Sequence, residues 1–487
     1  MGCSGTSIDS NIVGLRVARE TSPGVLPDTP EWMPLDPNSY GDFGAEYKSI
    51  SRTPINAGRQ RRKGGIVDKD ISAGFETDFV ETSLYPLIEG FMYSNWYEKI
   101  KAEPTTVSIE SYSTNVTGFE VGDLIKASGF FNDANNGVKL VSAVAAGSVS
   151  VPGLAVETSP PTGAQIQKVG VRAEAGDIEI SVASGIATIE STSFDFTTLG
   201  IIPGEWVFLG GDQTPNKFTS EVNNGFARVK SVVANSIVLD RQPNVMVDDT
   251  GAGKSIEIFV GSVIKNEKDR LLQKCHSYQF ERPFGDAGFE YTDGCIPNKL
   301  ELKVTKSEKL TINMDFVGRN HSDQVAEKSG TRPDPVQEDM FNASNDFSRI
   351  RLQDEETQST MASYISDYTL TIDNGLTPLK AISTLGNFDV ALGDFAVSGT
   401  IEAYFATFGA VHAIRDNDDV SLDFAIVKKN GGWLFDIPLV SLGNGKPKIE
   451  KDQPVMLPLS GDASEHTTLG YTLLIQRFFH LPTSASS

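Results

Sequence analysis

The chain has 487 residues, and its 64 acidic against 42 basic side chains give a formal net charge of −22 at pH 7. This charge argues against a conventional nucleic-acid binder, which presents a clustered basic surface to the phosphate backbone. A hydrophobic share of 39% excludes wholesale disorder, and the length indicates several domains. The 45 glycines, the 27 phenylalanines and the many Val, Ile and Thr residues favour β structure.

The N-terminal segment predicts neither export nor a membrane anchor. Residues 1–19 lack the uninterrupted apolar stretch of a secretory signal. The least charged segment, 140–156, is interrupted by Gly147, Pro152 and Gly153, whereas a membrane span needs about 20 predominantly apolar residues. We therefore expect synthesis in the cytoplasm and no membrane association.

Four basic residues stand close together in a glycine-bounded segment of this acidic chain. They are Arg59, Arg61, Arg62 and Lys63. Two interpretations are open: a solvated loop, or a positive loop that docks onto an acidic neighbouring subunit.

Alternating apolar and acidic residues after this loop predict a half-buried strand with one acidic face. The apolar face carries Val67, Ile71, Ala73, Phe75 and Phe79, and the acidic face carries Asp68, Asp70, Ser72, Glu76 and Asp78. A short helix is expected to follow, with Thr82 or Ser83 as its cap and Pro86 in its first turn. Its buried stripe is expected to contain Leu84, Leu87, Ile88, Phe91 and Met92.

The segment from about Pro104 to Gly253 differs in composition, because it is rich in Gly, Ser and Val and has no His. It also contains a duplication. Val121-Gly122-Asp123 and Asn135-Asn136-Gly137 correspond to Pro203-Gly204-Glu205 and Asn223-Asn224-Gly225. Each copy predicts short strands around a polar Asn-Gly turn, so two small all-β domains are expected in tandem, at 104–175 and 176–253.

The acidic-faced strand and its helix recur 326 positions later. Asp68 corresponds to Asp394, Ser72 to Ser398, Phe75-Glu76 to Ile401-Glu402 and Phe79 to Phe405. A second match aligns 278–284 with 433–439 at an offset of 155. Two larger modules are therefore expected. The first is discontinuous, comprising 1–103 with an N-terminal arm and 254–345, and the second comprises 346–487.

Motifs for catalysis, cofactors and metals are not found. The segment 251–255 resembles a phosphate loop, but Asp248 occupies the place of its first glycine. No two of the five histidines are spaced for one helical face. We expect no catalytic residue, no cofactor and no metal site, although paired carboxylates keep a glycan-active enzyme open as an alternative. A bridge between Cys275 and Cys295 also stays open.

Several segments together resemble the tail tube proteins, or major tail proteins, of long-tailed bacteriophages. They are 16–25, Pro30-Glu31-Trp32, the acidic-faced strand with its helix, 370–376 and 397–401. The resemblance covers roughly 1–103 and 254–487 and rests on pattern more than on a diagnostic motif. It implies a mainly β fold with two tandem β-sandwich or barrel modules, each with a flanking helix. The two small inserted β domains are expected to project outside a tube.

The resemblance also implies a structural virion protein, not an enzyme, in the tail of a siphovirus-like phage. Sheets of neighbouring subunits would join into a continuous inner barrel, in rings stacked into a tube for ejection of double-stranded DNA. Since such rings are usually sixfold, two modules per chain predict a trimer with pseudo-sixfold symmetry in preference to a hexamer. The implied partners are further copies of this chain, a tape measure protein, a tail terminator and distal tail proteins.

Under this interpretation the acidic strand face repels phosphates, so that DNA passes through the lumen without specific binding. The expected lumen-facing residues are Asp68, Asp70, Glu76, Asp78, Asp394 and Glu402. The expected contact with the adjacent ring is the loop of Arg59, Arg61, Arg62 and Lys63. The alternative function is a secreted or surface multi-domain adhesin, or a glycan-binding or glycan-active protein, whose inserted domains bind carbohydrate.

Overall fold

The structure is a computed structural model, and it describes residues 8, 10, 13–53, 55, 62–242, 245–355, 358–362 and 364–486. It is mainly β, with two short α-helices in this described part of the chain. The mainly β class expected from the sequence is confirmed.

The elements form three groups along the chain. Before the insertion lie β1 (Leu15–Arg19), β2 (Met33–Leu35), β3 (Pro37–Arg52), β4 (Arg62–Asp78) and α1 (Tyr85–Phe91). The insertion contains β5 (Lys101–Ala102), β6 (Thr106–Val107), β7 (Ser111–Ser113), β8 (Asp123–Ser128), β9 (Gly137–Leu140), β10 (Ala143–Ala145), β11 (Ser148–Ser150), β12 (Gln165–Arg172), β13 (Ile178–Ala183), β14 (Ile186–Ser191), β15 (Trp206–Leu209), β16 (Gly225–Val233), β17 (Ser236–Arg241) and β18 (Glu257–Phe259). After it lie β19 (Ser262–Lys265), β20 (Tyr278–Pro283), β21 (Phe289–Thr305), β22 (Thr311–Val317), β23 (Asn320–Gln324), β24 (Phe347–Asp354), β25 (Thr360–Ala362), β26 (Ile365–Asp373), β27 (Thr377–Lys380), β28 (Asn387–Ala391), β29 (Ala396–Tyr404), α2 (Gly409–Asp416), β30 (Val420–Lys428), β31 (Gly431–Asn444), β32 (Met456–Ala463) and β33 (Leu474–Phe478).

One antiparallel strand order joins the first group to the strands that follow the insertion. The strands pair in the order β3, β4, β22, β21, β20, β1 and β2. In the middle of β4, Phe75 lies opposite Tyr40 of β3 on one side and Met314 of β22 on the other.

The same strand order occurs a second time, as β26, β29, β32, β31, β30, β24 and β25. Ile401 takes the place of Phe75, because it lies between Tyr368 of β26 and Leu459 of β32. Local irregularities match as well. The register of β3 shifts between Pro37 and Ser39, and that of β26 shifts between Ile365 and Asp367.

These pairs agree with the offset of 326, whereas the offset of 155 is wrong. Lys303 lies opposite Thr311 in the first copy, and Lys448 lies opposite Met456 in the second, which gives an offset of 145 (448 − 303). β31 is therefore the counterpart of β21, not of β20. β20 and β31 both alternate aromatic residues around a carboxylate, and this shared pattern produced the false match.

Each copy holds one helix against the same strand, since α1 lies on β21 and α2 lies on β31. α1 begins after Leu84 without a side-chain cap, so the expected cap at Thr82 or Ser83 is wrong. The carboxylate of Glu338 instead accepts hydrogen bonds from the backbone N–H groups of Thr82 and Ser83, at 2.8 and 3.0 Å. The expected stripe is confirmed, since Leu84, Leu87, Ile88, Phe91 and Met92 are all buried.

One apolar core runs under both copies. It includes Phe75, Phe280 and Phe316 from the first copy and Tyr368, Phe424 and Phe435 from the second. The ring of Phe79 contacts those of Trp433 and Phe435, with centroids 5.7 and 6.2 Å apart. The two copies therefore share one buried aromatic core and are not independently packed domains.

The duplication inside the insertion extends to individual hydrogen bonds. Asn135 donates to the carbonyl of Ala155 and accepts from its N–H, at 2.9 and 2.8 Å. Asn223 makes the same two bonds with Val247, at 2.9 and 3.0 Å. The next asparagines repeat a second set of bonds, Asn136 with Phe130 and Asn224 with Phe218. In the first repeat of the insertion these side chains fix the loop between β8 and β9, and in the second repeat they fix the loop between β15 and β16.

The two inserted segments share one sheet, because β12 and β15 both pair with β18. Their apolar cores are separate, one around Tyr112 and Ile166 and the other around Phe196 and Ile237. A third cluster joins the insertion to the second copy through Trp206, Phe208, Phe226, Phe259, Leu434, Leu474 and Phe478. The insertion interrupts the first copy in sequence but packs against the second. The boundaries at 104–175 and 176–253 stay predictions.

Candidate functional site

The two copies meet at one strand pair inside the chain. β21 pairs with β26 from Lys299 opposite Asp373 to Thr305 opposite Asp367. Consequently β3, β4, β22, β21, β26, β29, β32 and β31 lie side by side in one sheet. We call the β21–β26 pair the internal junction.

One face of this sheet covers the core, and the opposite face is polar. Buried and half-buried residues alternate strictly along β22 and β26, as expected for strands with one covered face. The polar face is defined by the acidic residues Glu76, Asp78, Glu301, Asp315, Asp367, Asp373, Glu402 and Asp462, the lysines Lys299 and Lys303, and the uncharged Asn313, Thr369, Thr371, Ser398, Thr400 and Ser460. Its acidic groups outnumber its basic groups.

Three of the six acidic residues predicted to face the lumen lie on this polar face. Glu76 lies opposite Ser39 and Asn313. Asp78 forms an ion pair with Lys309 at 2.6 Å. The third, Glu402 of β29, lies opposite Asp367 and Pro458.

Asp68 and Asp70 lie farther along β4, beyond Ser72, where its pairing with β22 ends. Lys380 of β27 bonds Asp68 at 2.6 Å and also bonds Asp70. Lys48 of β3 bonds Asp70 and lies 3.7 Å from Asp68. The hydrogen bonds from Lys380 hold the pKa of both carboxyls below their usual value. We call these four residues the hairpin clasp, and its two carboxylates are balanced by two ammonium groups.

Asp394 differs from the other five, because it lies exposed in the segment before β29 and outside the sheet. Sequence reasoning also missed five acidic residues of the polar face: Glu301, Asp315, Asp367, Asp373 and Asp462. For Asp367 and Asp373, the alternation of Tyr368, Leu370 and Ile372 with polar residues was the available signal. Burial raises the pKa of Asp315, and Lys299 opposes that rise.

Two residues of the basic run, Arg62 and Lys63, lie at the far end of the β3–β4 pair. Arg59 and Arg61 fall outside the described residues, Arg62 begins β4, and Lys63 is exposed. Beyond the sheet, β3 and β4 continue as a two-stranded arm, formed by 45–52 and 62–71.

The arm carries exposed apolar side chains, namely Tyr47, Ile50, Ile66 and Val67. Val67 was expected on the buried face of the strand, and that prediction is wrong. At this point β4 has left the apolar core, and the side chain of Val67 is 52% exposed. The remaining members of the apolar face, Ile71, Ala73, Phe75 and Phe79, are buried as predicted.

Two strand edges of the sheet have no partner strand in the described part of the chain. β3 pairs only with β4, and residues 441–444 of β31 pair only with β32. β3 is the counterpart of β26, and β31 is the counterpart of β21. The two open edges are thus the counterparts of the two strands that meet at the internal junction.

The described residues contain few other arrangements with recognisable chemistry. No group of three His, Cys, Asp or Glu side chains within them is placed to hold a metal ion. None of their helices is long and apolar enough to cross a membrane. Cys275 and Cys295 are both free thiols, the first exposed and the second buried, so the structure contains no bridge between them.

The comparisons with known proteins point to one family. A family model described as phage tail tube protein matches residues 10–463, a range that includes both copies and the insertion. A search of curated proteins found no match.

Proposed function

The chain belongs to the phage tail tube protein family. From that premise we propose that three chains close into a ring and that stacked rings conduct double-stranded DNA. Family membership makes the protein a structural component of the virion tail that assembles with itself into a tube. The ring, its stoichiometry and the passage of DNA are the proposal.

The internal junction is the observation that carries this proposal. It shows how one copy joins the next, through seven antiparallel residue pairs between β21 and β26. The open edges belong to β3 and β31, which are the counterparts of the two strands that pair at the internal junction, β26 and β21. An exposed strand edge is a template for another chain, and a closed ring leaves none exposed.

The number of chains follows from the duplication. Only one of the two copies is interrupted by the insertion, so the chain, not the copy, is the repeating unit. A ring with six equivalent sheet segments then needs three chains, related by threefold symmetry with pseudo-sixfold order inside.

In the proposed tube the polar face lines the channel, together with all six acidic residues expected there from the sequence. Glu76, Asp78 and Glu402 have five further acidic neighbours on this face. Asp68 and Asp70 add little net charge, because the hairpin clasp neutralises them. A net negative wall repels phosphates and keeps water and counterions between itself and the DNA.

Charge reversal on the polar face tests the lining. Phages carrying Glu76→Lys with Glu402→Lys are expected to assemble tails but to eject DNA more slowly, because the wall then attracts phosphates. Glu174→Lys, on the exposed surface of the insertion, is the matched control. If both phages eject DNA at the wild-type rate, the polar face does not line the channel.

The arm is the proposed contact between rings. It reaches beyond the sheet, and the sequence that connects its two strands carries the expected contact residues Arg59, Arg61, Arg62 and Lys63. Changing these four residues to Glu is expected to leave single rings intact and to prevent their stacking. Long tubes formed by this variant would contradict the assignment.

A direct test of the whole proposal combines electron microscopy with mass measurement. Purified protein is expected to form hollow rings or tubes, with a ring mass of three times 52.6 kDa. A ring of six chains would overturn the trimer, and dispersed monomers under all assembly conditions would overturn the tube. A tape measure protein, a tail terminator and distal tail proteins are the proposed partners at the lumen and ends of the tube, on the basis of family membership alone.

A further inference from the structure

We infer that residues 448–450 of one chain pair with β3 of the next, in the register that the internal junction prescribes. The inference rests on the proposed ring, and it adds the contacting residues and the change that they undergo. The partner is another molecule of this chain, because the internal junction is a contact of the same kind within one molecule.

The first half of the register comes from β21. At the internal junction, Val304 lies opposite Tyr368 and Thr305 lies opposite Asp367. At the end of β31, Asn444 opposite Leu459 gives an offset of 144 from Leu300 opposite Met314. One extra residue before Lys448, which lies opposite Met456, raises the offset to 145, so that Ile449 and Glu450 are the counterparts of Val304 and Thr305.

The second half comes from β26. Tyr368 and Asp367 lie opposite Ile401 and Glu402 of β29. In the first copy, Tyr40 and Ser39 lie opposite the equivalent Phe75 and Glu76 of β4. Joining the two halves places Ile449 opposite Tyr40 of the next chain, and Glu450 opposite Ser39.

Burial supports this contact. Val304 is 9% exposed at the internal junction, whereas its counterpart Ile449 is 77% exposed. Tyr368 is 1% exposed, whereas its counterpart Tyr40 is only partly buried. Pairing of two chains would bury Ile449 against Tyr40 as Val304 is buried against Tyr368, and removal of apolar surface from water favours association.

The backbone indicates a loop-to-strand change on closure. Asn444 and Gly445 have φ angles of 68° and 65°, in the left-handed region, where β31 ends. In the first copy the equivalent part of β21 continues as a strand to Thr305. Asn and Gly tolerate both conformations better than other residues do. The segment can therefore extend when a neighbouring β3 offers hydrogen bonds.

Charge complementarity points to the same pair of surfaces. Residues 446–451 carry three exposed lysines, Lys446, Lys448 and Lys451, against one carboxylate, Glu450, which pairs with Lys448 at 3.1 Å. The facing edge of β3 carries Asp42 and Glu46, which are also exposed. Attraction between exposed charges is screened by salt. Ring closure should therefore weaken as salt is raised, while the internal junction stays closed.

Paired cysteines test the register with a matched control. In a background with Cys3→Ser and Cys275→Ser, Ser39→Cys with Glu450→Cys probes the contact between chains. Thr305→Cys with Asp367→Cys occupies the equivalent places within one chain. Mild oxidation of assembled rings should link the first pair into dimers and trimers on a denaturing gel, and the second pair should link without any increase in chain number.

The outcomes of the cross-linking experiment distinguish the proposed register from the proposed ring. Rings that are visible by microscopy, with links in the control pair only, would overturn the register while leaving the proposed function standing. Absence of rings and of links between chains would overturn both. A ladder that continues to six chains would support the contact and overturn the trimer.

Discussion

Arg228 joins the insertion to the second copy. It is 1% exposed and bonds Asp240 at 2.9 Å and Asp436 at 3.1 Å. Tyr471 also donates to Asp436, at 2.9 Å. Burial alone would lower the pKa of Arg228, and Asp436 raises it well above its usual value. A buried network of charged groups stabilises the fold only when every charged group in it has a partner, because an unpaired buried charge is costly.

Removal of Arg228 is therefore expected to be costly. Arg228→Ala leaves the buried carboxylate of Asp436 without its cation, and such a loss costs about 3–5 kcal/mol. Unfolding in guanidinium chloride measures the change in free energy. Arg415→Ala removes the exposed partner of Asp416 and should have no measurable effect. Equal changes in the free energy of unfolding for the two substitutions would show that the network around Arg228 does not stabilise the fold.

His480 makes the same contact region sensitive to acid. Burial, together with the nearby Lys126, lowers the pKa of His480 to about 4. Since this value lies below that of an unfolded histidine, about 6.5, the folded protein favours the neutral ring. The stability contribution is full above pH 6.5 and is lost as the pH falls from there towards 4.

The acid effect of His480 is measured by urea unfolding at pH 7 and pH 5. Protonation of the unfolded chain should cost up to about 2 kcal/mol over this interval, because one proton is worth about 1.4 kcal/mol per pH unit. His480→Gln should reduce the difference between the two pH values by that amount. An unchanged difference would mean that His480 is not the titrating group.

At the element scale, the hairpin clasp fixes β27 and β28 to the first copy. Lys380 bonds Asp68 and Asp70, and Asn387 donates to the carbonyl of Gly318 at 3.2 Å. β27 and β28 belong to the second copy by sequence. Two points of attachment thus hold a hairpin of one copy across a strand of the other.

Lys380→Glu is expected to release this hairpin without unfolding the sheet, because Asp68 and Asp70 would repel the new carboxylate. Hydrogen exchange should rise in 377–391 and remain unchanged in β29. Lys429→Glu is a suitable control, since it also removes an exposed ion pair, that with Asp339. If exchange in 377–391 does not change, the clasp does not hold the hairpin.

Sequence alternation predicted the central part of β4 correctly and failed at its end. Residues from Ile71 to Phe79 alternate because one face lies on the core, so pattern and burial agree. Val67 continues the pattern but lies on the arm, and no pattern within one strand shows whether another layer covers it. The helix position was predicted for the same reason as the strand, whereas its cap depends on Glu338, a residue distant in sequence.

The polar face was only partly predictable. Glu76, Asp78 and Glu402 were found because their strands repeat within the chain. Five others lie on strands whose neighbours are set by tertiary pairing. The alternation in 365–373 indicates that Asp367 and Asp373 share a face, but it does not indicate which strands lie beside them. The edges of the sheet were equally invisible, since an edge is defined by the strand that is absent beside it.

At the scale of the whole molecule, the insertion packs against the second copy and covers part of its apolar surface. Apolar residues from both, among them Trp206, Phe226 and Phe478, form one buried cluster. Sequence analysis recognised the insertion by composition but not its attachment, because these residues resemble ordinary core residues of their own strands. The expected projection outside the tube stays a prediction, and the packing shows which copy supports it.

Deletion of 104–253 is therefore expected to give an insoluble or aggregating protein, because it exposes Leu434, Leu474 and Phe478. The soluble fraction after expression and the binding of a hydrophobic dye measure the effect. Phe131→Ser, at an exposed site of the insertion, should leave solubility unchanged. A soluble, monodisperse deletion variant would show that the cluster does not stabilise the second copy.

The internal junction also changes how the proposed ring depends on concentration. Every second contact around the ring is made within one covalent chain, where the two partners have an effective concentration that dilution does not alter. Only the remaining contacts require encounters between molecules. At equilibrium the concentration of rings therefore rises with the third power of the free chain concentration, whereas for six separate modules it would rise with the sixth power. Nucleation should accordingly persist at lower protein concentrations, and a chain cut between β21 and β26 would lose that advantage while keeping every contact.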